Sequence, residues 1–206
     1  MGKIEVFEIV DENDCVIGQA PRSQCHGDPS LVHRVAHVLV FNARGELLLQ
    51  KRSLSKDIQP GRWDTSVGGH LDPGEDYLTA AYREMAEELG VSGVALTYLY
   101  ASRIRNAIES ENVATYLARY DGEIRFDPQE IDAVRFWSAD DIEADLGRDI
   151  FTPNFEEEWA LFKDWSRRYP ASDDERVAFC AGDSFPDLFA ALGRPENDGE
   201  KGANGR

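Results

Sequence analysis

The amino-acid sequence predicts an α/β protein, and three observations carry that prediction. Residues 35–41 read Val35-Ala36-His37-Val38-Leu39-Val40-Phe41, a short apolar run rich in β-branched residues, as in a buried strand. Residues 77–89 place Leu78, Ala81, Met85 and Leu89 on one face at 3.6 residues per turn, and Gly90 follows as a helix stop. Near the C-terminal end, Trp159, Phe162 and Trp165 recur at helical spacing, as on a docking face. The 206 residues, 42% hydrophobic and 30% charged, suffice for one domain with a core and added segments.

In chain order, residues 4–10 alternate weakly and stop at the turn Asp11-Glu12-Asn13-Asp14, and residues 16–19 return as a hairpin strand. After the strand 35–41, the turn 42–45 leads to residues 46–50, expected to pair back on it. Lys51, Arg52 and Lys56 follow as candidate phosphate contacts, and Pro60-Gly61 turns the chain. Residues 64–67 then read as one short strand running into Gly68-Gly69. Beyond the central helix, residues 95–105, 113–120 and 134–137 read as strands. Ser138 caps a helix through residue 146, and residues 155–168 form a longer one after Pro153-Asn154. Residues 1–170 are expected to form the domain, residues 171–193 an appended helical segment, and residues 194–206 a disordered tail.

The chemistry centres on the loop and helix that follow Gly69. Glu84, Glu87 and Glu88 crowd one side of the predicted helix, and Glu75 lies at its start. Glu84 and Glu88 are a like-charge i,i+4 pair, which costs stability unless a cation intervenes. Arg83 offsets part of this. A Mg²⁺ ion, which takes a few carboxylates, waters and substrate phosphates, would resolve the rest. On these acids alone a solvated Glu-rich helix is the plainer reading.

The full spacing reverses it. Gly69, Glu75, Arg83, Glu84, Met85, Glu87, Glu88, Gly90 and Val91 match every fixed position of the Nudix box within 23 residues. The chain is thus identified as resembling the Nudix family. The resemblance implies a mixed β-sheet sandwiched between α-helices and cleavage of a diphosphate linked to another group. It implies Mg²⁺ as cofactor, with Mn²⁺ as alternative, held by the Gly69 carbonyl, Glu75, Glu84, Glu87 and Glu88. Arg83 then orients a helix glutamate, and Glu88 or Glu111 is the candidate base.

A second pattern is similar to a relative within that fold, type I isopentenyl diphosphate isomerase. His26, His33, His70, Glu109 and Glu111 match its metal-ligand positions, and the stretches 47–53 and 60–63 resemble it too. The resemblance implies a second metal site suited to Zn²⁺, Mn²⁺ or Fe²⁺. Taken singly, His26 and His37 read as ordinary hydrogen-bonded residues. Gly68 stands where the isomerase pattern has its catalytic cysteine. Glycine moves no proton, so a hydrolase is expected, with an isomerase or a non-catalytic diphosphate-binding module as alternatives.

Composition narrows the partners. A net charge of −17 without a basic patch argues against a nucleic-acid polymer, and no apolar run approaches the ~20 residues of a membrane span. Three cysteines cannot all pair, and the N-terminus lacks a signal core, so a cytoplasmic monomer or homodimer is expected. The partner is a small-molecule diphosphate. The acidity would repel it, so its site must supply positive charge locally.

Overall fold

The computed structural model describes residues 5–56 and 58–168. The appended helix and tail expected after residue 170 lie outside the described residues. The chain opens with a hairpin, β1 (Val6–Val10) and β2 (Val16–Pro21), and a one-turn helix α1 (Arg22–Cys25) that the sequence reading did not anticipate.

The long strand β3 (Val32–Phe41) is the axis of the main sheet. It starts three residues earlier than its apolar run, because His33 is buried too. One edge of β3 pairs in parallel with β8 (Ser110–Arg119) along its whole length. β8 continues the sheet antiparallel to β7 (Thr97–Arg105). On its other edge β3 pairs antiparallel with β6 (Val67–His70), through Val35–His70, Ala36–Gly69, His37–Gly68 and Val38–Val67.

The expected hairpin between residues 35–41 and 46–50 is nearly absent. β4 (Leu47–Arg52) meets β3 only at Leu47–Phe41 and takes β9 (Ile131–Trp137) as its main partner. The expected strand at 64–67 is likewise two strands. β5 (Trp63–Asp64) pairs with β4, and β6 crosses to β3. The chain changes partner at Thr65-Ser66, where the buried Ser66 hydroxyl accepts from Val40 N (2.9 Å) and donates to Leu48 O (2.5 Å).

Helices cover both faces of this mixed sheet. α2 (Tyr77–Leu89) is capped by Asp76, whose carboxylate accepts from Thr79 N at 2.8 Å, and ends at Gly90 in the left-handed region. Its buried face is Tyr77, Ala80, Ala81, Met85 and Leu89, packed on Ala36, Val38 and Val40. Leu78, expected on that face, is 40% exposed and Tyr77 takes the place. The Tyr77 hydroxyl reaches inward to Asp14, 3.0 Å away, and that contact ties the hairpin to the helix. The opposite face carries Leu39, Phe41, Leu47 and Leu49. They pack on α3 (Ala139–Asp145), capped by Ser138, and on α4 (Pro153–Arg168) through Phe155, Trp159 and Trp165. No described helix is long and apolar enough to cross a membrane.

Candidate active site

β6 delivers the box residues to α2. Gly69 lies under Glu84 so closely that any Cβ there would collide with the carboxylate, which explains the glycine without backbone strain. Arg83 is the hub of the box. It donates to Glu75 (2.7 Å), Glu84 (2.6 Å), Glu87 (3.3 Å) and the His70 carbonyl (2.9 Å). Burial would raise the Glu75 carboxyl, but Arg83 outweighs it and holds it below its ordinary range. Glu84 is deeper; burial dominates and pushes its carboxyl up despite Arg83.

Glu88 stands apart from this clamp. Burial, then the neighbouring Glu84 charge, pushes it up to about 8. Its Oε2 accepts from Gln50 Nε2 (3.1 Å) and from Gly68 N (3.4 Å). Both bonds fall on one oxygen, so Oε1 is the atom left to take a proton.

The second set of predicted residues also converges, although it comes from α1, β3, β6 and β8. Among the described residues, His26, His33, His70 and Glu111 bring one donor atom each within 4.8 Å of one another. His33 Nε2 lies 3.4 Å and His70 Nε2 3.5 Å from Glu111 Oε1, and His26 Nε2 lies 3.3 Å from His70 Nε2. Glu109 is at the margin, 3.8 Å from His26. Phe7 of β1 caps the group, stacked on His70 at 4.1 Å and on His33 at 5.0 Å.

This group fits a divalent cation on the donors themselves. His33 Nδ1 faces the Leu31 carbonyl at 3.2 Å, and a carbonyl can only accept, so that nitrogen carries the proton. Among the described residues His33 Nε2, turned toward the Glu111 carboxylate, is buried without a hydrogen-bond partner, as is His26 Nδ1. A buried ring nitrogen left unpaired beside a carboxylate is a place for a cation. Burial lowers His26 and His70 to about 4, which keeps both rings neutral and able to ligate at neutral pH. Burial would raise Glu111, but the His33 and His70 rings outweigh it and hold the carboxyl well below its ordinary range.

Both groups open on one cleft of about 550 Å³. Gln50, Arg52, Lys56, Glu84, Glu88, Glu109 and Glu111 line it, with His26, His37 and His70. Of the three expected phosphate contacts, Arg52 and Lys56 are on its wall and Lys51 is not among the lining residues. The cations are already engaged: Arg52 with Asp64 at 3.2 Å, Lys56 with Glu130, and Arg22 with Glu5 at 3.3 Å. Asp64 was missed because a lone acid beside Trp63 has no motif around it. Glu158 was missed too, although a signal existed. It shares the helical face of Phe155, Phe162 and Trp165, where a carboxylate needs a buried partner.

Comparison with known proteins agrees with this geometry. The NUDIX domain family's model matches residues 31–155. An isopentenyl-diphosphate Delta-isomerase of Streptomyces coelicolor is 34% identical over 73% of this chain and 79% of its own. An uncharacterized Nudix hydrolase of Yersinia pestis is 36% identical over 73% of this chain and 81% of its own. A crystal structure from Deinococcus radiodurans superposes with a TM-score of 0.67 at 27% identity, covering 76% of this chain and 98% of that one. With the domain matched over more than half of its length and the box in place on β6 and α2, the chain belongs to the Nudix domain family.

Proposed function

We propose that this Nudix-type hydrolase uses Mg²⁺ to cleave the diphosphate bond of a nucleoside diphosphate derivative or a similar small molecule. Action on diphosphate-containing substrates follows from the family. The observation that carries the proposal is the division of labour at the loop and α2: Arg83 gathers Glu75, Glu84 and Glu87, while half-buried Glu88 stands free of it in the cleft.

Glu84, Glu87 and Glu88, with Glu75 and the Gly69 carbonyl, would hold Mg²⁺. When bound, the ion supplies charge neutralisation for phosphate oxygens and acidifies water. Arg83 keeps the acids converged at the loop. Glu88 receives the proton of the attacking water on Oε1, the carboxylate oxygen that neither Gln50 nor Gly68 occupies. Arg52 and Lys56 on the cleft wall neutralise the departing phosphate. His26, His33, His70 and Glu111, with Glu109 beside them, would hold a second divalent ion, Zn²⁺ or Mn²⁺, that positions substrate.

One observation favours a second reading. The histidine group and the isomerase relative both suggest isomerisation of a prenyl diphosphate. Gly68 argues against it, since no side chain there can carry the proton. One assay decides. Nucleoside diphosphates, sugar nucleotides, dinucleotides and prenyl diphosphates are incubated with Mg²⁺ or Mn²⁺. Divalent-dependent release of phosphate or a monophosphate supports the hydrolase. An isomerised prenyl diphosphate with its diphosphate intact would overturn it.

A further inference from the structure

Among the titratable residues lining the cleft that the mechanism leaves unused is His37. His37 is on β3, between Thr115 of β8 and Gly68 of β6 in register. Its Nδ1 meets the Glu158 carboxylate of α4 at 2.9 Å, and the same oxygen accepts from the Thr115 hydroxyl at 3.1 Å. Glu158 is buried, and His37 is the charged group beside it among the described residues, so its charge faces the imidazole. The other ring nitrogen, Nε2, has no protein partner among the described residues, and the ring lines the cleft.

A pin between helix and sheet would need only Nδ1 and Glu158. It would not explain Gly68. That glycine's backbone is not in the left-handed region, so conformation does not demand it. Its neighbours are close instead: a Cβ at position 68 would lie 3.3 Å from both Nε2 and Cδ2 of His37 and 3.3 Å from Thr65 Cγ2, a tight contact that would push on the ring. Glycine therefore leaves the approach to Nε2 open. Glu111 from β8 and Asp64 from β5 add negative charge around the ring, while Arg52 and Lys56 on the wall share their charge with Asp64 and Glu130. Burial alone would lower the imidazole, but Glu158 outweighs it and raises it to about 9, so Nε2 carries a proton at neutral pH.

We propose that His37 is a substrate-binding residue: tethered through Nδ1 to Glu158, it donates Nε2–H across Gly68 to a phosphate oxygen in the cleft. The inference rests on the diphosphate reading of that cleft and adds to it the donor that an acidic site needs. A charge-assisted hydrogen bond of this kind is worth about tenfold or more in affinity.

The test uses the full chain with Mg²⁺ and the non-hydrolysable probe methylenediphosphonate at pH 7.5. Binding is measured by calorimetry, and the imidazole nitrogens are followed by NMR. The Nδ1 proton held by buried Glu158 resonates far downfield, which identifies His37 without a substitution. The expected result is a shift of its Nε2 signal on adding probe, and binding weakened about tenfold in His37→Gln and less in Glu158→Gln. Probe binding that leaves Nε2 unmoved would overturn the role of His37 alone, as would a folded His37→Gln that binds within twofold of wild type. Should the variant not fold, the wild-type NMR shift decides by itself. Failure of the wild type to bind probe would overturn the diphosphate reading, and this inference with it.

Discussion

The two carboxylate groups of the cleft are treated in opposite ways. On α2, Glu75, Glu84 and Glu87 share one guanidinium that is always charged, supplied by the adjacent residue Arg83. Around β8, Glu111 faces imidazoles instead, and His33 Nε2 and His26 Nδ1 are left buried and unpartnered. The first group is nearly self-sufficient, built within one stretch of chain. The second is assembled from four elements and leaves lone pairs that no residue satisfies. A site completed from outside is recognised by what its own residues fail to pair.

The largest effect is expected on α2. Glu88→Gln and Glu87→Gln should keep the fold and lose about 10²-fold or more in kcat if a metal ligand or base is removed. Circular dichroism beside turnover on an identified substrate checks this. Near-wild-type turnover in both variants would break the functional half of the comparison.

Next is metal at the histidines. Zn²⁺ at 100 times its Kd should raise the unfolding free energy by about 2.7 kcal/mol. His70→Asn should abolish that gain, read as a lost rise in Tm. A variant that keeps the gain would place the ion elsewhere.

The same rings make a pH prediction without metal. His26 and His70 titrate at about 4 in the folded chain against an ordinary 6.5, so between these values the unfolded chain binds more protons. Stability is therefore present above pH 6.5 and lost as pH falls toward 4, by something on the order of 1–3 kcal/mol. Glu88 works the other way. Its raised carboxyl stabilises fully below 4.5 and loses that contribution as pH rises through about 8. Denaturant unfolding of His70→Asn should show a shallower acid-side loss than wild type. Equal slopes would mean that the rings are not the source.

The smallest effect is expected from truncation after Pro170. Among the described residues the cleft lining ends at Asn154, and the family match ends at residue 155, so metal-dependent turnover should stay within about twofold. A folded, metal-binding truncation that cannot turn over substrate would extend the site into the last segment.

The α2 half of the cleft was legible because it is local. A helix repeats every 3.6 residues, so Arg83, Glu84, Glu87 and Glu88 could be placed on one side of it and the stop at Gly90 foreseen, while Gly69 and Glu75 were added by the resemblance to the Nudix box. The three histidines and Glu111 were legible only through resemblance to a related pattern, since nothing in their spacing says that α1, β3, β6 and β8 meet. Strand partners were the weakest inference. The chain turns back after residue 45 as a hairpin would, yet β4 takes β9, more than eighty residues on, because apolar runs state burial and not partner. The sequence by itself determined the family and most of the elements, though not α1 or the split of β5 from β6. Only the tertiary structure decided that His37 and Glu158, 121 residues apart, meet through Nδ1 while Nε2 faces Gly68. A buried charge finds its partner through packing, and packing joins residues that no local period connects.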